Sequence, residues 1–153
     1  ADEPDYEKKA RAGLIPWTLD EKGEPIFLMM VASDVKFGGP RPMISKGKIE
    51  EGEDALGCAI REAEEELGLM KENMLGDPEF LLQQRVVLRS GAYDLTLYSV
   101  RIMERWNFQP WCDETEYTLW MDFDTFKEEG RRDHIKFVEE LYQKLKYKSF
   151  LST

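Results

Sequence analysis

Apolar runs separated by turn residues indicate a protein rich in β-strands. Runs with the composition of strands are found at 11–19, 25–32, 43–48, 79–89, 95–103 and 115–123. The run at 25–32 is apolar at nearly every position, which predicts a strand buried on both faces. The runs at 79–89 and 95–103 flank turn residues at 90–94 and predict a β-hairpin.

Two segments instead carry apolar residues at the helical spacing of three and four. In the segment 54–67, the stripe predicted to face the sheet consists of Leu56, Ala59, Ile60, Ala63 and Leu67. Gly68 follows, where a left-handed residue commonly ends a helix. The segment 132–147 shows a second amphipathic pattern, and 124–130 predicts a short helix.

The length of 153 residues fits one domain of ordinary size. We expect a flexible, charged N-terminus at 1–10 and a single domain over 11–153. Strands and helices alternate irregularly, which predicts an α/β (α+β) sandwich.

Charge and cysteine usage narrow the class of protein. The net charge of −10 argues against a protein that holds long nucleic acid by its phosphates. No stretch is apolar enough to span a membrane, so no membrane partner is expected. Cys58 and Cys112 indicate reduced thiols in a cytoplasmic protein, with one disulfide as the alternative.

Residues 47–69 concentrate the acidic charge, with eight acidic side chains against two basic ones. On a helix, Glu62, Glu65 and Glu66 share one edge at spacings of three and four, where their carboxylates repel one another. Divalent ions such as Mg²⁺, which prefer oxygen ligands, relieve that repulsion. Arg61 can reach Glu65, or Glu53 if the preceding loop folds back. The alternative is a solvated helix face without a ligand.

The same segment resembles the Nudix box, whose pattern is G-x5-E-x7-R-E-U-x-E-E-x-G-U with U an aliphatic residue. The matching positions are Gly47, Glu53, Arg61, Glu62, Ala63, Glu65, Glu66, Gly68 and Leu69. All seven fixed letters match, and Ala63 is small for an aliphatic position. Seven chance matches at a usage of roughly 7% per residue type occur about once in 10⁸ starts, so the signal is specific.

The resemblance implies an α/β/α sandwich around a central mixed sheet, and a hydrolase dependent on Mg²⁺ or Mn²⁺. Family substrates are typically a nucleoside diphosphate linked to another group. Carried over by position, the metal ligands are Glu62, Glu65, Glu66 and the backbone carbonyl of Lys46. Arg61 and Glu53 are implied as the pair that orients the loop and helix.

Family members often add a glutamate about six residues before a Trp. Glu114 precedes Trp120 by six residues, with Glu116 and Asp113 as rivals. We predict Glu114 as the general base that activates water, with Glu62 or Glu66 as alternatives.

Further side chains are candidates for substrate binding. Lys46, Lys48 and Arg41 are placed to contact phosphate, although surface solvation is the usual role of such residues. Trp106, Phe108 and Trp111 are candidates for stacking on a base, with loop or core packing as the more common alternative. His134, the one histidine, is predicted as a surface helix residue without a role.

The expected partner is a small-molecule nucleotide, and the oligomeric state stays open. The Glu114–Trp120 spacing looks most like the branch that acts on dinucleoside polyphosphates or RNA 5′ ends. Dinucleoside polyphosphates rank first, followed by ADP-ribose or a nucleotide sugar, and then oxidised nucleotides. A nucleotide-binding Nudix module without turnover is the alternative of a different class.

Overall fold

The computed structural model describes residues 10–152, so the predicted flexible segment 1–10 lies, apart from Ala10, outside the described residues. The strands are β1 (Ala10–Leu19), β2 (Pro25–Ala32), β3 (Ser45–Lys48), β4 (Glu79–Leu88), β5 (Gly91–Arg101) and β6 (Thr115–Asp122). The helices are α1 (Ala55–Leu67), α2 (Phe123–Glu129) and α3 (Ile135–Ser152), with 3₁₀ turns at Val35–Phe37, Lys71–Asn73 and Arg132–His134. The predicted elements are all present, with shifts at their ends.

The six strands form one mixed sheet in the order β4-β5-β1-β2-β6, and β3 pairs with β1 beside β2. The β1–β5 pair is parallel, and the other pairs are antiparallel. β1 is the organising strand because one edge pairs with β5, while its other edge is divided between β3 at residues 11–14 and β2 at residues 17–19. β3 therefore ends beside the centre of the sheet, and the following loop and α1 begin there.

Successive residues of the central strands point to opposite faces, and each face has its own core. Leu14 and Leu28 pack on the face that α1 covers. Ile15 and Phe27 pack on the other face, together with residues of α2 and α3 such as Phe126. All eight residues of β2 are buried, as its apolar run predicted. The predicted α/β/α sandwich with a central mixed sheet is confirmed.

α1 begins and ends at the residues that the sequence indicates. The Asp54 side chain accepts a hydrogen bond from the Gly57 N–H, and Gly68 ends the helix in the left-handed conformation at φ 74°. The buried face differs from the predicted stripe: Cys58 and Glu66 are buried, whereas Leu56 and Ile60 are only half-buried. The helix is rotated so that a box glutamate enters the protein.

The hairpin of β4 and β5 is tighter than predicted. Leu88 pairs with Gly91, so the turn consists of two residues, and Gly91 adopts a φ of 140°. Residues 91–94, predicted as turn, therefore belong to β5. Tyr93 consequently becomes an inward-facing strand residue with 7% of its surface exposed.

The prediction for His134 was wrong. A 3₁₀ turn precedes α3 and directs this side chain inward, where it is fully buried. Its Nδ1 accepts a hydrogen bond from the backbone N–H of Ile44, 3.2 Å away. The histidine therefore links the start of α3 to the segment before β3.

The structure also describes both cysteines and the character of the helices. Cys58 and Cys112 are free thiols, so the alternative of a disulfide between them does not hold. In the part of the chain that the structure describes, no helix combines the length and apolarity needed to cross a membrane.

Candidate functional site

The candidate site lies where β3 leads into α1. Gly47 has no side chain, and the Glu62 carboxylate occupies the space beside it. A Cβ on residue 47 would lie 1.9 Å from Glu62 Oε2 and 2.2 Å from Glu62 Cδ. The glycine therefore makes room for an acidic side chain from the helix, which explains why this residue type stands there.

Arg61 ties the preceding loop to the helix. Its Nε donates to Glu53 Oε2 at 2.7 Å, and its Nη2 donates to Glu53 Oε1 at 3.0 Å and to the Lys48 carbonyl at 3.1 Å. The hydrogen bonds to Glu53 raise the pKa of Arg61, and the same contact lowers the pKa of Glu53. Both groups thus stay charged, and the loop is held in one position by a bidentate pair.

The box glutamates experience different surroundings. Glu66 is 8% exposed and accepts hydrogen bonds from Ser45 Oγ at 2.8 Å and from the Lys46 backbone N–H at 3.1 Å. Burial, followed by the charge of Glu62, raises the pKa of Glu66 to about 8. Burial also raises the pKa of Glu62, although Arg61 opposes it. The side chain of Glu65 is 47% exposed and lies 3.5 Å from Arg61 Nη1.

Glu114 approaches from a different part of the fold. It stands just before β6, and its backbone carbonyl accepts a hydrogen bond from the Ser33 N–H at 2.8 Å. Its negative charge contributes to the raised pKa of Glu62, so the two carboxylates are close enough to repel one another. Its rivals Asp113 and Glu116 do not line the cavity described next.

A cavity of about 530 Å³ joins three of these carboxylates, and Glu65 does not line it. Its acidic lining residues are Glu62, Glu66 and Glu114. Its basic lining residues are Arg11, Lys36, Lys46, Lys48 and Arg131. Five basic side chains against three acidic ones make this an exception in a chain of net charge −10. The cavity is suited to an anionic ligand that is accompanied by cations.

Lys46 lies between the acidic and the basic residues of the cavity lining. Its backbone contacts Glu66, whereas its Nζ lies 5.2 Å from the centre of the Tyr93 ring. Burial, followed by the charges of Arg11 and Arg131, lowers the pKa of Lys46 to about 8.

Several predicted binding residues lie elsewhere. Arg41 is exposed and donates to the Glu129 carbonyl at 3.3 Å. Phe108 is a core residue with 7% exposure, so the packing alternative describes it better than stacking on a base. Trp106 and Trp111 are exposed on the same loop, and the backbone N–H of Trp111 donates to the backbone carbonyl of Glu65. The structure does not bring these four side chains to the cavity.

The sequence analysis missed several cavity residues, among them Arg11, Tyr93 and Arg131. Arg11 reaches the cavity because β1 pairs in parallel with β5, which places Arg11 opposite Leu95 and two residues from Tyr93. Arg131 is anchored by its backbone N–H, which donates to the Pro42 carbonyl. A local motif could not have identified these residues, because each depends on contacts between distant segments.

The donor set was compared with the needs of a divalent ion. Among residues 10–152, no three His, Cys, Asp or Glu side chains already enclose a metal position. The chemistry of the donors nevertheless fits a hard cation, because Glu62 and Glu66 supply carboxylate oxygens. Burial raises the pKa of both groups, and the charge of Glu62 adds to the effect at Glu66, so a cation would stabilise their charged forms.

Comparisons with known proteins identify a family and a shared fold. Residues 8–141 match the family model described as the NUDIX domain. No match was found among curated proteins.

Solved structures share the fold at low sequence identity. A binary complex of the C. elegans Ap4A hydrolase is 19% identical, with a TM-score of 0.70 over 94% of this chain and 97% of that chain. The NUDIX domain of Shewanella oneidensis NrtR, complexed with ADP ribose, is 14% identical, with a TM-score of 0.76 and coverage of 95% and 94%. The E. coli dihydroneopterin triphosphate pyrophosphohydrolase is 14% identical, with a TM-score of 0.73 and coverage of 90% and 97%.

Proposed function

We propose that this chain, a hydrolase that belongs to the NUDIX family, cleaves the pyrophosphate bond of a nucleoside diphosphate linked to a second group. The observation that carries the proposal is the meeting of carboxylates from two distant segments in one cavity. Glu62 and Glu66 come from α1, and Glu114 comes from the loop just before β6. Basic residues line the same cavity and complement a phosphate chain.

Mg²⁺ or Mn²⁺ is the proposed cofactor, held by Glu62, Glu65 and Glu66 together with the backbone carbonyl of Lys46. Such an ion lowers the pKa of bound water and offsets charge on phosphate oxygens. Burial is the main cause of the raised pKa values of Glu62 and Glu66, and a bound cation would stabilise both carboxylates in their charged form, which supports this assignment. Arg61 and Glu53 act as positioning residues by holding the loop against α1.

Glu114 is the proposed general base, because it lines the cavity and comes from the loop before β6, a segment distant in sequence from α1. It accepts a proton from the water whose oxygen bonds to phosphorus. The bond between that phosphorus and the bridging oxygen breaks, and the electron pair leaves with the second phosphate. Lys46 and Lys48 provide positive charge along the cavity.

Dinucleoside polyphosphates are the first proposed substrate, supported by the Glu114–Trp120 spacing and by the shared fold of the C. elegans Ap4A hydrolase. ADP-ribose is the second, because the NrtR domain that resembles this fold is complexed with it. The proposed partner is thus a small nucleotide. The proposed domain organisation is a single domain over 11–153. The two free cysteines support a cytoplasmic location.

A substrate panel tests the function. Diadenosine tetraphosphate, ADP-ribose and an oxidised deoxynucleoside triphosphate are incubated with Mg²⁺ or Mn²⁺, with EDTA as control, and the products are separated by chromatography. We expect metal-dependent release of a nucleoside monophosphate or polyphosphate from diadenosine tetraphosphate. Glu66→Gln should lower turnover by about 100-fold or more, whereas Glu64→Gln, at a free position of the box, should stay within about twofold. An unreactive panel with both metals contradicts the proposal.

A further inference from the structure

One wall of the cavity is basic and is separate from the carboxylates. It consists of Arg11, Lys46, Tyr93 and Arg131, which we call the basic wall. The guanidinium carbon of Arg11 lies 5.1 Å from the centre of the Tyr93 ring, and Lys46 Nζ lies 5.2 Å from it. These residues come from β1, β3, β5 and the segment before α3, so the tertiary structure assembles the wall.

The basic wall contains buried donors without an acceptor. Tyr93 is 7% exposed, and within residues 10–152 neither its hydroxyl nor the Nε of Arg11 has a hydrogen-bond partner. Burial raises the pKa of Tyr93, so the hydroxyl keeps its proton and remains a donor. Buried donors of this kind are rare without a ligand or water to accept from them.

Arg131 is held in position by an acid outside the cavity lining. Its Nε donates to Asp133 Oδ1 at 2.7 Å, and within residues 10–152 its two terminal nitrogens form no hydrogen bond. Arg11, Lys46 and Arg131 carry like charges that repel one another across a small space. An anion between them removes that repulsion and supplies the missing acceptors.

Lys46 adjoins both the carboxylates and the basic wall. Its backbone N–H contacts Glu66 at 3.1 Å, while its Nζ lies over Tyr93. The charges that shift the pKa of Tyr93 come from Arg131, Asp133 and Arg11, and no cavity carboxylate is among them. The part of the wall formed by Arg11, Tyr93 and Arg131 is therefore farther from the carboxylates than Lys46 is.

We propose that Arg11, Tyr93 and Arg131 form a subsite for a substrate phosphate other than the two joined by the scissile bond. The inference rests on the proposed function and narrows it. The preferred substrate has three or more consecutive phosphates, as a dinucleoside polyphosphate does, whereas a diphosphate sugar leaves the subsite empty.

Binding of inorganic tripolyphosphate in EDTA tests the subsite without catalysis or metal. Isothermal titration calorimetry compares the unmodified protein with Arg11→Gln, Arg131→Gln and Tyr93→Phe. We expect each arginine variant to bind about 10-fold more weakly, since a hydrogen bond to a charged group is lost, and Tyr93→Phe about threefold more weakly. Arg105→Gln is the matched control because Arg105 is exposed and lies outside the cavity. Equal affinities for all variants would overturn the subsite.

Kinetics with Mg²⁺ separate the subsite from a general structural effect. In Arg131→Gln, KM for diadenosine tetraphosphate should rise about 10-fold with kcat within about threefold, and KM for ADP-ribose should stay unchanged. An equal rise for both substrates would overturn the proposal. Thermal melting checks folding, and Arg11→Gln replaces Arg131→Gln if the latter does not fold. Tripolyphosphate binding without turnover of any nucleotide would refute the proposed function and retain the subsite.

Discussion

Replacing Gly47 by Ala tests the role of the space beside Glu62. The three atoms nearest to a Cβ on residue 47 all belong to the Glu62 side chain, the closest at 1.9 Å. Ordinary contacts begin near 3.4 Å, so the carboxylate must retreat by about 1.5 Å. Gly47 lies in β3 opposite Ala12 and has no positive φ, so the backbone accepts alanine.

A displacement of that size has a large expected effect on catalysis and a small one on stability. A misplacement of about 1 Å in a reacting constellation can cost about 100-fold in rate. We therefore expect kcat of Gly47→Ala to fall about 100-fold. Because the clash involves the end of a flexible side chain, the free energy of unfolding should change by less than about 1 kcal/mol, or about 4 °C in Tm.

The assay is hydrolysis of the best substrate from the panel, measured beside circular dichroism melts. A second background isolates the cause: Gly47→Ala is also introduced into Glu62→Ala, where the clashing atoms are gone. In that background the glycine substitution should change the residual rate by less than about twofold, which is a non-additive pair. The reasoning is refuted if Gly47→Ala alone keeps near-normal turnover, or if it costs another 100-fold without Glu62.

Three further predictions concern other residues. Burial depresses the pKa of His134 in the folded state. As the pH drops below the ordinary histidine pKa of 6.5, the unfolded chain therefore binds a proton that the folded protein does not, and the free energy of unfolding decreases. Denaturant titrations should show the stability advantage over His134→Asn shrinking by about 2 kcal/mol from pH 8 to pH 5, and a constant difference would contradict the buried neutral ring. Glu114→Gln should lower kcat by about 100-fold and Glu116→Gln by less than twofold, and the reverse order would transfer the general base to Glu116. Burial raises the pKa of Cys58 to about 12, so mass spectrometry should find it unmodified by iodoacetamide at pH 8 in the folded protein; labelling at the rate of a free thiol would disprove this.

Part of the site follows from short-range sequence patterns. Helical periodicity placed Glu62, Glu65 and Glu66 on one edge of α1. It left the partner of Arg61 open between Glu65 and Glu53, and the pair with Glu53 was implied by the resemblance to the Nudix box. The same local logic identified the buried strand β2. It did not identify which face of α1 is innermost, because Glu66 carries a charge that a periodicity argument assigns to solvent.

The basic wall depended on tertiary structure. Arg11, Tyr93 and Arg131 meet only because β1 and β5 pair in parallel and because the segment before α3 folds back onto the β3 region. The burial of His134 has the same origin, since its acceptor nitrogen serves a backbone N–H 90 residues away.

The loop that carries Trp106, Phe108 and Trp111 illustrates the reverse case. Its Trp and Phe residues suggest a base-binding surface, yet Gly68 lets the backbone of Gln109 pack directly on the end of α1, since a Cβ there would lie 1.9 Å from the Gln109 carbonyl oxygen. The amino-acid sequence by itself thus determined the acidic loop–helix unit, because its contacts lie within the single segment 45–66. Only the tertiary structure decided which distant cations face it, because strand pairing and helix packing, rather than local spacing, set those distances.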